Sequence, residues 1–388
     1  MTDLSTKNSA DHRVALVRCE DYQAAFDALA NGVAMLGGVD KFCQPGDVLL
    51  LKPNLLLGDS PERGSTTHPA VFEAAGHLFK SGGAQVFYGD SPGFGSPQDA
   101  VKSAGLEAVA TRLGITLADF SAITDTPKPD GILIKQFQIA KGLVGVDGVI
   151  NLPKFKTHGL TRLTGAVKNL FGCLPGAQKA AFHARLPDEI KFAQMLVDLA
   201  ELIAPRLHIM DGVIGMEGNG PRNGHLRKVG VILLSTNPHA LDYCVARLMN
   251  LDPELVPTLR VARAVGLLDP ELITILGEPI ESMVIEDFDA NRSKASTTGS
   301  QGFYMDIFKQ LVTPKPVIEE GKCTRCGRCV SICPVTPKAL RFLNGRRQPP
   351  ECDYHVCIRC YCCQEMCPDE AIHIKTPPLG KLIRDLKI

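Results

Sequence analysis

The chain has no tryptophan, only 6 tyrosines and no surplus of either charge: in 388 residues, Lys plus Arg and Asp plus Glu both number 42. So few aromatics argue against the stacking platforms that hold single-stranded nucleic acid. The zero net charge argues against a general nucleic-acid binder, which carries a basic excess. No nucleic-acid partner is expected. Long apolar runs are missing too. None approaches the ~18 residues of a membrane-spanning helix, and the opening stretch Met1–Arg13 is polar, without the apolar centre of a signal peptide. The expectation is an unexported, cytoplasmic protein with no membrane span. Two cofactor signatures are also lacking. There is no G-x-x-x-x-G-K-[ST] phosphate loop, and Gly89 to Gly95 does not have the spacing of a dinucleotide fingerprint.

What the chain does have is cysteine. Eight of its 14 stand in two copies of C-x2-C-x2-C-x3-C-P: Cys323, Cys326, Cys329, Cys333-Pro334, then Cys357, Cys360, Cys363, Cys367-Pro368. Each ligand position recurs 34 residues later, as Cys323 does at Cys357. Thiolates at this density suit iron–sulfur clusters, which need four soft ligands each. The first three cysteines of a copy can wrap one cluster, while the fourth lies beyond a turn and reaches the other. That assigns Cys323, Cys326, Cys329 and Cys367 to cluster one, and Cys357, Cys360, Cys363 and Cys333 to cluster two. Zinc is the rival, but its sites use two separated pairs per ion rather than an evenly spaced triple followed by Cys-Pro. Residues 314 to 377 therefore resemble the bacterial-type ferredoxin module with two [4Fe-4S] clusters, which implies electron transfer and a redox partner protein or electron donor.

The match departs in its first half, where Val335-Thr336-Pro337-Lys338 lengthens the turn after Cys333-Pro334. Between the repeats, Ala339 to Gln348 reads as a hairpin closed by Asn344-Gly345, a dipeptide that tolerates a type I′ turn. Cys352 and Cys362 fall outside the pattern and read as spare thiols. Cys19, Cys43, Cys173 and Cys244 are isolated and read as small buried apolar residues. Cysteines at cluster spacing in an unexported chain indicate a reducing compartment rather than a disulfide framework.

Upstream, from Val14 to about Gly277, short β-rich runs alternate with helical periodicity. The runs are Val14–Val17, Val48–Leu51, Gln85–Tyr88, Ile132–Ile134, Val146–Asn151, Leu207–Met210, Val229–Leu234 and Ile273–Leu276. Helices are expected over Tyr22–Leu36, Pro69–Lys80, Pro97–Ala104, Leu106–Leu113, Thr161–Leu170, Glu189–Ile203, His239–Met249 and Glu254–Val265. Such alternation predicts an α/β fold with a mostly parallel sheet and flanking helices, joined to a small α+β cluster module. In these sheets ligands bind beyond the carboxyl ends of strands.

The strand ends here carry Lys52 and Asn54, then Asp90, then Lys154, Lys156 and His158, and finally Asp211, Glu217 and Asn219, with Lys168 and Asn169 on the helix that follows His158. Any one of them can be ordinary turn chemistry, and Lys154 to His158 can be a solvated basic loop. Together they form a candidate binding set for a small anionic substrate such as a carboxylate or phosphate. Lys154, Lys156 and Lys168 are expected to converge with Lys52, Asp90 and Asp211 on one pocket. Lone histidines such as His183 and His208 read as hydrogen-bonded rather than metal-binding, and Asp242 reads equally as a helix-end or a catalytic group.

Lys52-Pro53-Asn54, Gly89-Asp90-Ser91-Pro92-Gly93, Asn151-Leu152-Pro153-Lys154 through Gly172, Asp211-Gly212 and Asn237-Pro238-His239-Ala240-Leu241-Asp242 resemble the DUF362 family over roughly residues 45 to 250. The resemblance implies an architecture and a fusion to a ferredoxin module. It implies no reaction. The expected division is residues 1–285 for the α/β domain, 286–313 for a linker and docking helix, 314–377 for the cluster module and 378–388 for a tail. Asn291 to Gly302 reads as a flexible Ser/Thr/Gly linker. Phe303, Ile307, Phe308 and Leu311 form an apolar stripe able to dock one part on the other, and Leu382, Ile383 and Leu386 repeat it in the tail.

Two functions fit these features. The first is a ferredoxin-type oxidoreductase whose clusters relay electrons to a small anion, or to a further cofactor of unknown kind, in the α/β domain. The second is a non-catalytic electron carrier or adaptor docking a larger redox complex. Polar groups converging at the ligand-binding edge of a sheet favour the first.

Overall fold

Strand Arg13–Arg18 is apolar on both sides. Ala15 and Val17 join one core cluster while Val14 and Leu16 join another, as the period-2 geometry of a strand buried on both faces requires. A computed structural model describes residues 11–176, 178–292 and 313–378. Its main sheet has ten strands. In chain order they are β1 (Arg13–Arg18), β2 (Val48–Pro53), β3 (Gln85–Tyr88), β4 (Thr116–Leu117), β5 (Gly148–Leu152), β6 (Lys154–His158), β7 (Arg162–Leu163), β8 (Leu207–Glu217), β9 (His225–Ser235) and β10 (Thr274–Gly277).

The order across the sheet is β10-β1-β9-β8-β5-β2-β3-β4, with β6 pairing β8 and β7 off that path. Parallel pairs join β2 to β3 and β5, β3 to β4, β8 to β5 and β6, and β1 to β10. Only β9 with its two neighbours and β6 with β7 run antiparallel. Helices Ala25–Met35, Pro69–Ser81 and Leu106–Leu113 cover one face, and Pro238–Leu248 with Pro257–Ala264 the other. The chain is thus a mostly parallel mixed sheet with flanking helices, followed by a small strand-and-helix region.

Three local expectations need correction. Ile132–Ile134 is not a strand, because the backbone N–H groups of Ile132, Leu133 and Ile134 all donate to the Asp198 carboxylate on helix Glu189–Ile203. The strand of that region is Gln136–Ala140, paired with Ile123–Pro127. The helix expected over Thr161–Leu170 is only Gly165–Asn169, continued by a tighter turn over Leu170–Cys173. β7 precedes it, and Gly165 turns the chain at φ 63°. Its first N–H groups, those of Ala166 and Val167, are taken by the buried Asp242 carboxylate. Asp242 therefore acts as a helix-end group. The hairpin is wider than expected. Leu340–Arg341 pairs with Glu351–Cys352, and of the dipeptide Asn344-Gly345 only Gly345 has positive φ (63°), whereas a type I′ turn needs both.

The cluster module closes on itself by pairing Lys315–Ile318 with Ile372–Lys375. Its small core consists of Cys329, Leu340, Cys363, Cys367, Ala371 and Ile372. The module is seated on the α/β part by buried polar contacts. Arg222 donates to the carbonyl of Cys367 at 2.7 Å, Asn223 to that of Gln364 at 3.0 Å, and Gln364 to that of Asn219 at 2.8 Å. Tyr361 inserts into the apolar cluster of Val167, Leu170 and Phe171. The expected docking helix Phe303–Leu311, the tail Lys381–Ile388 and all but Asn291 and Arg292 of the linker lie outside the described residues.

Candidate functional site

β2 ends at Pro53, and the next residue, Asn54, is buried at the carboxyl edge of the sheet. Its side chain is locked at both ends: Nδ2 donates to Asn169 Oδ1 at 2.8 Å and Oδ1 accepts from Lys156 Nζ at 2.9 Å. Asn169 donates in turn to Asn151 Oδ1 at 2.7 Å, and Asn151 Nδ2 lies 2.9 Å from His208 Nδ1. This buried run of amides fixes the floor of a cavity of about 810 Å³. One wall is the Asp90–Pro97 loop after β3. A second is helix Gln178–Arg185, through Lys179, Ala180 and His183. The third belongs to the cluster module, at Ser331–Pro334, Lys338, Cys362, Glu365 and Met366.

Of the anticipated set, Asn54, Asp90, Lys156, Lys168 and Asn169 line this cavity. Asp90 is already neutralised. Lys52 Nζ lies 2.6 Å from its Oδ1, and Leu55 N–H donates to its Oδ2 at 2.9 Å. Lys52 itself is wholly buried and also bonds Pro53 O, so it supports the floor without lining the cavity. Lys154 and Asp211 form a separate closed group. Lys154 Nζ lies 2.8 Å from both Asp211 Oδ2 and Tyr22 Oη, and His68 N–H donates to Asp211 Oδ2 at 2.9 Å. The single pocket expected for Lys52, Lys154 and Asp211 with the others is thus divided, because these three are consumed by buried ion pairs. Glu217 accepts from Asp289 N–H, and Asn219 Nδ2 donates to Ile372 O of the module. Neither lines the cavity.

His158 also stands behind the wall. Its Nδ1 accepts from Leu160 N–H at 3.0 Å, which leaves Nε2, 2.9 Å from Glu365 Oε1, to carry the ring proton. Burial brings its pKa down to about 4, so the ring is neutral. Burial also lowers the ammonium groups of the cavity, Lys156 to about 7 with help from nearby Lys168, and Lys179 to about 8. Lys179 spends its donors on Ser91 O, Ser91 Oγ and Leu174 O. Lys168 is different. Half-buried, it makes no hydrogen bond or ion pair among the described residues, and the Phe171 ring lies at 5.7 Å; burial lowers its pKa as well, with the Glu365 carboxylate countering that shift. An anionic group that enters beside it would favour its ammonium form and meet it directly.

Lys179, Glu365 and Cys362 were not anticipated as site residues. Helix Gln178–Arg185 carries little apolar periodicity to announce it, and Glu365 and Cys362 sit inside the cysteine motif, where spacing draws attention to the ligands alone. The cysteines themselves fall into two small cavities. One is lined by Cys323, Cys326, Cys329 and Cys367; the other by Cys333, Cys357, Cys360, Cys363 and Cys352. Cys333 and Pro334 line both this second cavity and the large one.

Residues 49–247 match the family described as Domain of unknown function (DUF362). The chain belongs to the DUF362 family. Residues 314–335 match a 4Fe-4S binding domain, which supports an iron–sulfur electron-transfer role for this DUF362 protein. A thylakoid-associated protein of Synechocystis sp. is 38% identical over 277 residues, covering 70% of this chain and 85% of that one. Among solved structures, the lactate racemase apoprotein from Thermoanaerobacterium thermosaccharolyticum shares 12% identity at a TM-score of 0.38, over 62% of this chain and 58% of that one. A Thermotoga maritima protein shares 11% at 0.37, over 61% of each. The chain thus spans about three fifths of each of these two structures. No helix among the described residues is long and apolar enough to cross a membrane.

Proposed function

We propose that this DUF362 protein is an iron–sulfur oxidoreductase that exchanges electrons with a small anion held in the large cavity. The observation that carries the reading is the shared wall: Cys333 and Pro334 line a cysteine cavity on one side and, on the other, the cavity that holds Lys156 and Lys168. Each small cavity gathers four motif cysteines, a soft donor set that fits a [4Fe-4S] cluster. Cys323, Cys326, Cys329 and Cys367 would hold one, and Cys357, Cys360, Cys363 and Cys333 the other. Bound there, the clusters supply one-electron chemistry. The residues around the large cavity do the rest: Lys168 binds the anion, Lys156 offers a proton it can release near neutral pH, and Phe94, Phe120 and Phe171 keep the apolar part of the ligand dry. Residues 1–285 and 314–377 act as the two working parts, joined through 286–313, with 378–388 as a tail. A cytoplasmic or other reducing compartment suits the free thiols.

The module supplies a wall, so the test uses the whole chain. Anaerobically purified protein should carry about eight iron atoms, four for each cluster. After chemical reduction, a panel of small carboxylates and phosphate esters that also carry a reducible C=O or C=C bond is added, so that the anion takes up two electrons and two protons, and recovery of the visible cluster band is followed. At least one anion class should reoxidise wild type and do so at least tenfold more slowly with Lys168→Met at unchanged iron content. If no anion binds or reoxidises the reduced chain, the substrate part of the reading is wrong and the carrier reading replaces it.

A further inference from the structure

The two cysteine cavities differ in what surrounds them. The one that holds Cys333 abuts the large cavity, whereas the other ends at Cys326, the exposed member of the eight motif cysteines. Three arginines stand around that exposed end. Arg325 lines the cavity, and its Nη1 donates to the carbonyl of Arg347 at 2.8 Å, tying the 342–350 connection beside it. Arg346 Nη2 comes within 3.1 Å of the point where a Cβ on Gly327 would stand, so its guanidinium overhangs the residue next to Cys326. Arg325, Arg346 and Arg347 are exposed, and none has an acidic partner among the described residues. One carboxylate shares the rim: Asp369 lines the same cavity and accepts from Thr324 Oγ1. Glu370, next to it, is turned away into an ion pair with Arg63. On the same connection Leu343 is 56% exposed and Phe342 lies under Arg346 at 5.8 Å.

We propose that this rim, Arg325, Arg346 and Arg347 around Cys326 with Leu343 at its side, docks an acidic one-electron carrier protein. The proposal rests on the cluster reading above, which gives an electron carrier a reason to dock at this end. A cationic rim with a small apolar patch at its side suits the short-lived redox encounters that bury less than roughly 1,200 Å². Guanidinium groups are weakly hydrated and grip carboxylates in pairs, and their field raises the rate of encounter with a partner of opposite charge. An anionic membrane surface would offer the same sign of charge, but it would not need the cations to be gathered around one exposed cysteine.

The experiment uses the full cluster-loaded chain and, as probe, a purified acidic plant-type [2Fe-2S] ferredoxin. Affinity is measured by calorimetry at low and high salt for wild type and for the double variant Arg346→Glu/Arg347→Glu. Wild type should bind the probe with strong salt dependence. The variant should bind at least tenfold more weakly and lose most of that dependence, with its iron content unchanged. Equal binding by the two proteins overturns the proposal. So does a wild type that ignores the probe yet binds phosphatidylglycerol vesicles through the same arginines. Binding is read without turnover, so failure of the substrate reading would leave this result standing, whereas absent iron would count against the cluster reading itself.

Discussion

Lys154 and Lys168 show how differently two lysines of one motif can be used. Lys154 is 1% exposed and held by Asp211 and Tyr22, so Lys154→Met would strand a buried carboxylate. A loss of about 3–5 kcal/mol is expected from breaking such a pair, measured by denaturant unfolding. Lys168→Met removes a group that makes no hydrogen bond among the described residues but whose charge, after that of His158, helps hold the buried Glu365 carboxyl low. Its unfolding midpoint should fall less than that of Lys154→Met, because no buried hydrogen-bonded pair is broken, while anion affinity falls in the same preparation. If the effects are reversed, the division between a supporting pair and a binding cation is wrong. Sequence could bring Lys154 at a strand end and Lys168 on the following helix into one candidate set, but it could not divide them. What divides them is Asp211, delivered by β8 from 57 residues away to face β6.

At the scale of elements, the site depends on the Asp90–Pro97 loop meeting the Leu170–Cys173 turn. Ser91 N–H donates to Gly172 O at 3.0 Å, and a Cβ on Gly172 would lie 1.9 Å from Asp90 Oδ1 and 3.0 Å from Lys52 Nζ. Gly172→Ala should therefore cost roughly 1–3 kcal/mol through forced displacement of a packed group. It should also weaken anion binding through the moved cavity wall; unchanged stability with unchanged binding would show that the loop yields freely. Much at this scale was legible beforehand. Leu106–Leu113 and Glu189–Ile203 match their expected bounds because long apolar periodicity survives packing. Ile132–Ile134 failed for a nonlocal reason, since a carboxylate on a distant helix takes its N–H groups. β6 reads from sequence as a short extended segment or a solvated loop, not as a buried strand. Its residues are entirely buried, Lys154 and Lys156 included, and nothing in K-F-K-T-H announces burial.

For the molecule as a whole, pH sensitivity follows from buried histidines. Burial pushes His158 and His239 down to about 4, and His183 and His208 to about 3, against an ordinary value of 6.5. The unfolded chain then binds more protons than the folded one between those values and 6.5, so this stability is present above pH 6.5 and is lost as pH falls toward 3–4. Each histidine contributes a slope of roughly 1.4 kcal/mol per pH unit within that window. Asp242 opposes them, because burial raises its carboxyl to about 7 and favours folding in acid. With four groups against one, the unfolding midpoint should drop steeply from pH 6.5 to 4; a flat profile would mean that the histidines are hydrated or charged in the native state.

One more link spans the two parts. Arg222, which donates to the carbonyl of Cys367, also clasps Asp59 at 2.6 Å; Asp59 accepts from Ser65 Oγ at 2.8 Å, and the Ser65 carbonyl accepts from Lys156 Nζ. Three residues thus link a cysteine of the metal motif to an ammonium in the cavity. A chain whose cysteine loops have not set around iron is expected to hold Arg222 loosely and so to loosen the Ser65 side of Lys156, whose other hydrogen bond goes to Asn54 Oδ1. The unfinished protein would then not hoard its ligand. Chelator-stripped protein should therefore bind the anion more weakly than loaded protein, and Arg222→Met should impose the same weakness on loaded protein, both measured as equilibrium affinity. Equal affinity in all three forms would show that the two ends are merely adjacent.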